Sequence, residues 1–357
     1  MKRRLLALSL GSAVAFACEQ DSPTTSRQPT LRADATSAAV ITAITDLGTL
    51  PGGDFSSAAA INGAGMIVGS SNSQPGGPSR ATLWQPDGTI RDLGTLPGGG
   101  QSFALAVNDR GQVAGASSIT GLFPFHAFRW EKGTMTDLGT LPGGIGSTAT
   151  GINDQGEVVG SSTTASGSPR AVVWRSDGSI VDLGTLPGAV GSGAAAINDL
   201  GQVVGSSTFP DFVTVHGFLW QAGTMIDLGT LGGDSSTAFA INNAGQVVGQ
   251  STLLGLFAPG HAFRWQKDAG MIDLGTLPGG SISGAASITS SGQIVGNGTT
   301  ATEQDAFLWR AGIFTDLGTL GGPFSSATGV NSAGQVVGIS ATSGFALHAV
   351  RWTTQSR

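Results

Sequence analysis

The chain has 357 residues, 58 of them Gly, with 11% charged residues and a formal net charge of −6. Globular domains average about 25% charged residues, so this chain is ill suited to long helices, and its Gly, Ala, Ser, Thr, Val and Ile suit short strands and tight turns. Seventeen bases against 23 acids, with no Lys/Arg cluster in the body of the chain, argue against a nucleic-acid partner, whose phosphates need clustered cations.

The first residues, Met1-Lys2-Arg3-Arg4, precede an apolar run over 5–17, then Cys18 and the polar Glu19-Gln20-Asp21. A basic start, a short apolar run and small residues before a cleavage point describe an export leader, and the run is too short to span a bilayer. Ala15-Phe16-Ala17 fits ordinary cleavage. Cys18, the sole cysteine, resembles the acylated first residue of bacterial lipoproteins, although Ala15 stands where that signal usually carries Leu. Cys18 is therefore the expected lipidation site, and a membrane is expected to be reached only through that anchor. A single cysteine allows no internal disulfide. Residues 19–38, rich in Ser, Thr, Gln and Pro, read as a flexible tether. The expected organisation is a leader over 1–18, a linker over 19–38, a repeat domain over 39–353 and a tail over 354–357.

Within the repeat domain, Asp-Leu-Gly-Thr-Leu occurs seven times, beginning at Asp46, Asp92, Asp137, Asp182, Asp227, Asp273 and Asp316. The seven tryptophans, Trp84, Trp130, Trp174, Trp220, Trp265, Trp309 and Trp352, keep the same beat. A period in the forties is that of a four-stranded propeller blade. In the first unit, small residues from 57 to 61 read as a strand, Asn62-Gly63-Ala64-Gly65 as a turn, 66–70 as a second strand, and Arg80 to Trp84 as a third. Gln85-Pro86-Asp87-Gly88 reads as another turn, and the stretch through Ile90, Asp92 and Leu93 as a fourth strand. Six residues before the turn Asn stands Ser, and four before it stands Ala. Small side chains suit an innermost strand where blades converge. Three residues after the turn position is always Gly, from Gly65 to Gly334, as expected for a positive φ. The Trp column is expected to pack between blades.

The first unit opens with 40–46, a fourth strand without its first three, and the chain ends with Ala349-Val350-Arg351-Trp352, a third strand without its fourth. Pairing them would close a seven-bladed all-β propeller of four-stranded blades and leave no open sheet edge. An open solenoid or sandwich array is the alternative, but the terminal repeats are ordinary where a solenoid would need capping units.

His126-Ala127-Phe128 and His261-Ala262-Phe263, each followed by Arg-Trp and then by Asp-Leu-Gly-Thr-Leu, resemble the bacterial extracellular HAF repeat. The resemblance covers 40–352 and implies an exported repeat protein of unassigned activity. His216-Gly217-Phe218 and His348-Ala349-Val350 are near matches. Arg80, Arg170 and Asp305 replace the His in the other units.

Seven identical aspartates do not make an asymmetric catalytic centre and are expected to bond turn backbone or an adjacent hydroxyl; calcium, which needs six to eight oxygens, is the weaker reading for one Asp per unit without a carboxylate neighbour. The four histidines recur at equivalent points of separate blades, too far apart for one zinc site, and are expected to bond loop backbone beneath folded apolar loops. No cofactor and no metal is expected. The units differ most between their second and third strands. That loop is polar in units 1, 3 and 6 and apolar in unit 2 (Leu122, Phe123, Phe125), unit 4 (Phe209, Phe212, Val213) and unit 5 (Leu254, Leu256, Phe257), with Phe345 and Leu347 in unit 7. These apolar residues form the candidate partner surface, on the face shared with Pro51-Gly52-Gly53 and near the central channel. The expected function is an exported, non-enzymatic binding or scaffold module that recognises an extracellular protein or carbohydrate. The alternatives are a polysaccharide hydrolase or lyase, which would show a tight carboxylate pair or unlike acids and bases at the channel mouth, and a surface structural protein.

Overall fold

The computed structural model describes residues 39–255 and 258–356. The leader, Cys18 and the tether, together with Leu256 and Phe257, lie outside the described residues. The remainder forms 28 strands. In unit 1 these are Ser56–Ile61, Ile67–Ser71, Arg80–Trp84 and Ile90–Asp92, paired in that order into an antiparallel meander. Units 2 to 6 repeat the arrangement.

The seventh sheet draws on both ends of the chain. Its inner three strands are Gly321–Val330, Gln335–Thr342 and Leu347–Ser356, and its outer strand is Ala39–Asp46, running antiparallel with Ala39 opposite Ser356 and Asp46 opposite Val350. The pairing expected of 40–46 with the chain end is present. It reaches further than 353, because Ala39, Val40 and Ile41 supply ladder partners to residues 354–356. The supposed tail is therefore strand through Ser356.

The first strands of consecutive blades are neighbours all round, and that of blade 1 adjoins that of blade 7. The ring is closed by specific bonds: Thr328 Oγ1 donates to the Ala58 carbonyl at 2.9 Å, and Asn331 Nδ2 to the Asn62 carbonyl at 3.1 Å. The molecule is thus a seven-bladed β-propeller with the first strands around its axis.

The apolar core is divided into seven wedges, each built from two adjacent blades. One joins Val68, Ala81 and Leu83 of blade 1 to Val113, Phe128 and Trp130 of blade 2, and another joins Val337 and Ala349 of blade 7 to Ala58, Ile67 and Trp84 of blade 1. The Trp column lies in these wedges as expected. The indole N–H of Trp84, Trp174 and Trp309 has no partner, so packing accounts for those three; truncating such a residue costs roughly 3–5 kcal/mol.

The serine column has a second role beyond fitting a crowded axis. In all seven blades this Ser Oγ accepts the N–H of a third-strand residue in the preceding blade: Ala81 to Ser102 at 2.8 Å, Ala127 to Ser147 at 2.9 Å, and across the closure Ala349 to Ser56 at 2.8 Å. In six blades the same hydroxyl donates to the Gly carbonyl of the connecting Asp-Leu-Gly-Thr-Leu, as Ser147 does to Gly139 at 2.6 Å. Without that hydroxyl the third-strand N–H would lose the partner it has here, and an unpaired buried N–H is costly.

A further column is a glycine within each second strand, from Gly69 to Gly338. Each faces an irregularity in the first strand, such as that between Ala58 and Ala60. A Cβ on Gly160 would overlap the Thr148 carbonyl, and the corresponding collision recurs in every blade. The bulge turns that carbonyl toward the glycine.

Two outcomes are expected. Ser147→Ala leaves the Ala127 N–H and the Gly139 carbonyl without their shared partner and should lower stability by about 1–3 kcal/mol in urea titration; an unchanged midpoint would reduce the serine to a space-filler. Gly160→Ala forces the bulge to move and should lower the thermal midpoint with a loss of roughly 1–3 kcal/mol.

Candidate functional site

The strand order separates two faces. The turns between first and second strands surround the axis on one face, while the loops between second and third strands share the other with the Asp-Leu-Gly-Thr-Leu connections. Backbone bonds tie the members of this second face together: Gly100 N–H donates to Gly121, Gly121 to Gly98, and Val190 to Thr208. The candidate partner loops do share a face with Pro51-Gly52-Gly53, as expected. The cavity at the channel mouth, however, opens on the opposite face.

That cavity, about 290 Å³, is lined by three consecutive residues from every blade, such as Ile61-Asn62-Gly63 and Val107-Asn108-Asp109. The turn asparagines do more than turn the chain. Each accepts an N–H of its own turn and sends its amide N–H to the next blade: Asn62 Nδ2 to the Asn108 carbonyl at 3.0 Å, Asn108 to Asn153 at 2.9 Å, and onward to Thr289. Thr289 keeps the turn bond, from Gln293 N–H at 3.1 Å, but has no amide to pass on, and the sequence of links resumes at Asn331. The next column forms an acidic arc. Asp109, Asp154 and Asp199 each use Oδ1 to accept the N–H one blade back, at 2.7–3.0 Å, and Asn243 Nδ2 donates to Asp199 Oδ2 at 2.8 Å. The mouth therefore presents three carboxylates on one side and Ser290 and Ser332 on the other. In the sequence these residues read as turn formers, and the signal of a shared rim is an Asn or Thr column followed by Asp, Asn, Ser or Gly.

On the opposite face, the candidate apolar residues divide. Phe125 and Phe209 are half-buried: Phe125 packs on Phe103 and Phe123 with centroids 5.9 and 5.3 Å apart, and Phe209 stands edge-on to His216 at 5.3 Å. Leu122, Phe123, Phe212, Val213 and Leu254 are more than half exposed, as is Phe345 of blade 7. Leu256 and Phe257 lie outside the described residues. Blades 4 and 5 are joined here by Ser235, whose N–H reaches Thr252 Oγ1 and whose hydroxyl donates to the Val213 carbonyl.

The blade 4 loop is built to hold its shape. Asp211 accepts the N–H of Val213 and of Thr214 and the Thr214 hydroxyl, at 3.0, 2.9 and 2.6 Å, and these donors hold its carboxyl below the usual range. Phe212 sits at φ 57° with its side chain 77% exposed. Phe345 repeats this at φ 64° and 76%. The left-handed region costs a residue with a Cβ about 1 kcal/mol or more, and glycine would avoid it.

Beside these loops lies the Asp-Leu-Gly-Thr-Leu column. All seven aspartates accept the N–H of the Gly two residues on, at 2.7–2.8 Å, which confirms the backbone role and explains the Gly, whose φ lies between 69° and 88°. The histidines bond differently from the expectation. Their Nδ1 atoms meet the Asp carboxylate of the same blade at 2.7–3.0 Å, in His126–Asp137, His216–Asp227, His261–Asp273 and His348–Asp46, because the third and fourth strands place the two side chains diagonally across one pair. Arg80 pairs with Asp92 in the same way at 3.1 Å. Blade 6 alone opposes like charges there. Its Asp305 is buried, and that burial together with Asp316 and Glu303 pushes its carboxyl up to about 6. No group of three or more His, Cys, Asp or Glu side chains placed to hold a metal occurs among the described residues.

With ring and faces established, the molecule falls in the class of β-propellers, and solved structures agree. No family model and no curated protein sequence matches the chain. It is similar to a puromycin-hydrolyzing peptidase of Mycobacterium tuberculosis (TM-score 0.56, 14% identity, 87% of this chain and 55% of that one). It is also similar to virginiamycin B lyase from Staphylococcus aureus (0.55, 14%, 87% and 99%) and to a puromycin hydrolase (0.55, 13%, 84% and 52%). The chain spans about half the length of the two hydrolases and nearly all of the lyase. At these identities the likeness shows the fold alone.

One expectation is overturned. The chain was expected not to be an enzyme, yet propellers of this shape occur in hydrolases and in a lyase, and the channel mouth carries carboxylates where only small neutral side chains would have favoured a binder. The fold gives no ground for excluding catalysis.

The opposed acids of blade 6 have a measurable consequence. A carboxyl whose folded pKa is raised takes up a proton on folding between about 6 and its unfolded value of 3.8, so it favours folding as pH falls through that window. Asp305→Asn should therefore stabilise the protein against urea at pH 7.5 without added divalent ions, and the gain should fade by about pH 4.5. A gain constant over that range would show that burial beside a second acid does not raise this carboxyl.

Proposed function

We propose that the protein acts outside the cytoplasm as a recognition propeller whose binding surface is the loop face of blades 2, 4, 5 and 7. One observation carries this reading. Among the described residues, eight large apolar side chains are more than half exposed, and all but Leu200 lie on that one face: Leu122, Phe123, Ile145, Phe212, Val213, Leu254 and Phe345. Random exposure would divide them between the faces, and a one-sided concentration of apolar groups is the usual mark of an interaction surface. Two of them are held in left-handed backbone by hydrogen-bonded loops, and strain retained in an exposed loop fits a residue kept for contact.

Phe, Leu and Val, with few polar side chains among them, favour a protein surface over a carbohydrate, whose hydroxyls would call for polar partners in the same row. The basic and apolar start of the chain and its resemblance to extracellular HAF repeats support export, with Cys18 as the proposed lipid anchor. The fold of the solved structures is compatible with this role and also with a reaction at the channel mouth.

The test compares the full-length protein with a variant carrying Phe123→Ser, Phe212→Ser, Val213→Ser and Leu254→Ser in a quantitative screen against envelope proteins and glycans. Because these side chains are exposed, the thermal midpoint should hold, while affinity for a protein partner should fall at least about 30-fold, the equivalent of roughly 2 kcal/mol. Partners bound equally well by the folded variant would overturn the assignment of this face, and retained affinity for glycans alone would redirect attention to the channel mouth.

A further inference from the structure

At the third-strand position facing the connecting aspartate, the seven blades carry Arg80, His126, Arg170, His216, His261, Asp305 and His348. Six are bases. Five of them make the pair at 2.7–3.1 Å, so this position sets a nitrogen base against a carboxylate. In blade 3 Arg170 makes no such pair, its Nε being buried without a partner, and blade 6 alone carries an acid at this register, opposite Gly298 of the second strand.

The surroundings of Asp305 make this more than a lost ion pair. Its residue is 6% exposed, and no hydrogen bond reaches its carboxylate among the described residues. Asp316 Oδ1 is occupied by the Gly318 N–H at 2.8 Å, while its Oδ2 is the atom that meets the base in other blades. The remaining acid nearby is Glu303, on the loop before the strand. The elements packed against this position, Gly298 and Thr299 of the second strand and Phe324 of the next blade, bring no base. A largely buried carboxylate that faces a second acid and no counter-charge is disfavoured.

We propose that blade 6 binds a hard divalent cation, Ca²⁺, between Asp305 and Asp316, in the place that His or Arg fills in the other blades. Two carboxylates with water completing the shell make a shallow site, in the range of about 10⁻⁴–10⁻³ M for extracellular modules. The ion acts as the missing base of the repeat: it neutralises the acid pair and holds the third strand of blade 6 to the fourth. This site is independent of the proposed partner face and stands or falls separately.

The experiment follows thermal unfolding of the full chain at pH 7.5 in EDTA, in CaCl₂ and in MgCl₂. About 10 mM CaCl₂ should raise the wild-type midpoint by roughly 2–4 °C, with MgCl₂ less effective because Mg²⁺ sheds its water reluctantly. Asp305→His restores the pair of the other blades and should be insensitive to calcium, with a midpoint in EDTA at or above that of the wild type. Asp305→Asn supplies the same reading should Asp305→His fail to fold. The proposal is overturned if calcium leaves the wild-type midpoint unmoved, or if both variants respond as strongly as the wild type, which would place any calcium effect elsewhere, such as the acidic arc at the channel mouth. A wild-type midpoint that rises only on acidification through pH 6, with no response to calcium, also overturns it and shows a shared proton instead.

Discussion

A single hydroxyl per blade ties the backbone of each blade to the next. The serine that opens each first strand accepts an N–H from the blade before it, and in six blades it returns a bond to the glycine carbonyl of the connecting segment. One side chain thus serves a backbone donor and a backbone acceptor at the seam between two blades. Every blade is therefore incomplete alone. Its polar edge is satisfied by its neighbour's serine, and its apolar face is covered by its neighbour's valines and tryptophan. Ring closure follows from the same interaction, because the seventh blade needs Ser56 as much as the second needs Ser147.

This dependence leaves the two faces free to differ. Around the axis, asparagine amides and aspartate carboxylates step from blade to blade and join the mouth into one polar rim. On the far face the connecting segments are bound tightly by their own Asp, Gly and Thr, while the loops between second and third strands vary in length and polarity. Apolar side chains accumulate there, some turned inward onto His216 or Phe103 and others left in solvent. Repetition supplies the scaffold and the departures from repetition supply the chemistry, whether in Phe212 and Phe345 or in the acid pair of blade 6.

Much of the fold was legible because the repeat is strict. Seven Asp-Leu-Gly-Thr-Leu segments and seven tryptophans announced the blade count, and the truncated units at 40–46 and 349–352 announced closure. The turn glycines declared their positive φ, which lies between 71° and 81° in all seven. The candidate loops were legible as apolar stretches, but composition could not say that Phe209 and Phe125 turn inward while Phe212 turns out, since neighbouring residues on one loop face opposite ways. Nor did the histidine column reveal its carboxylate partner, which lies 11 or 12 residues away within a blade and 302 away across the closure.

By itself the sequence determined the all-β class, the number of blades, the order of strands and the means of closure, because all of these depend on period and on local turn chemistry, which a linear chain displays. Tertiary structure alone decided which groups meet: across blades, the serine that caps a neighbour's backbone and the asparagines that hand bonds round the rim; within a blade, the glycine that faces a bulge and the two acids brought together in blade 6. The contacts between blades join residues some 20 to 290 positions apart, and their energetics arise from burial and from the partner each group lacks, neither of which exists until the blades have assembled.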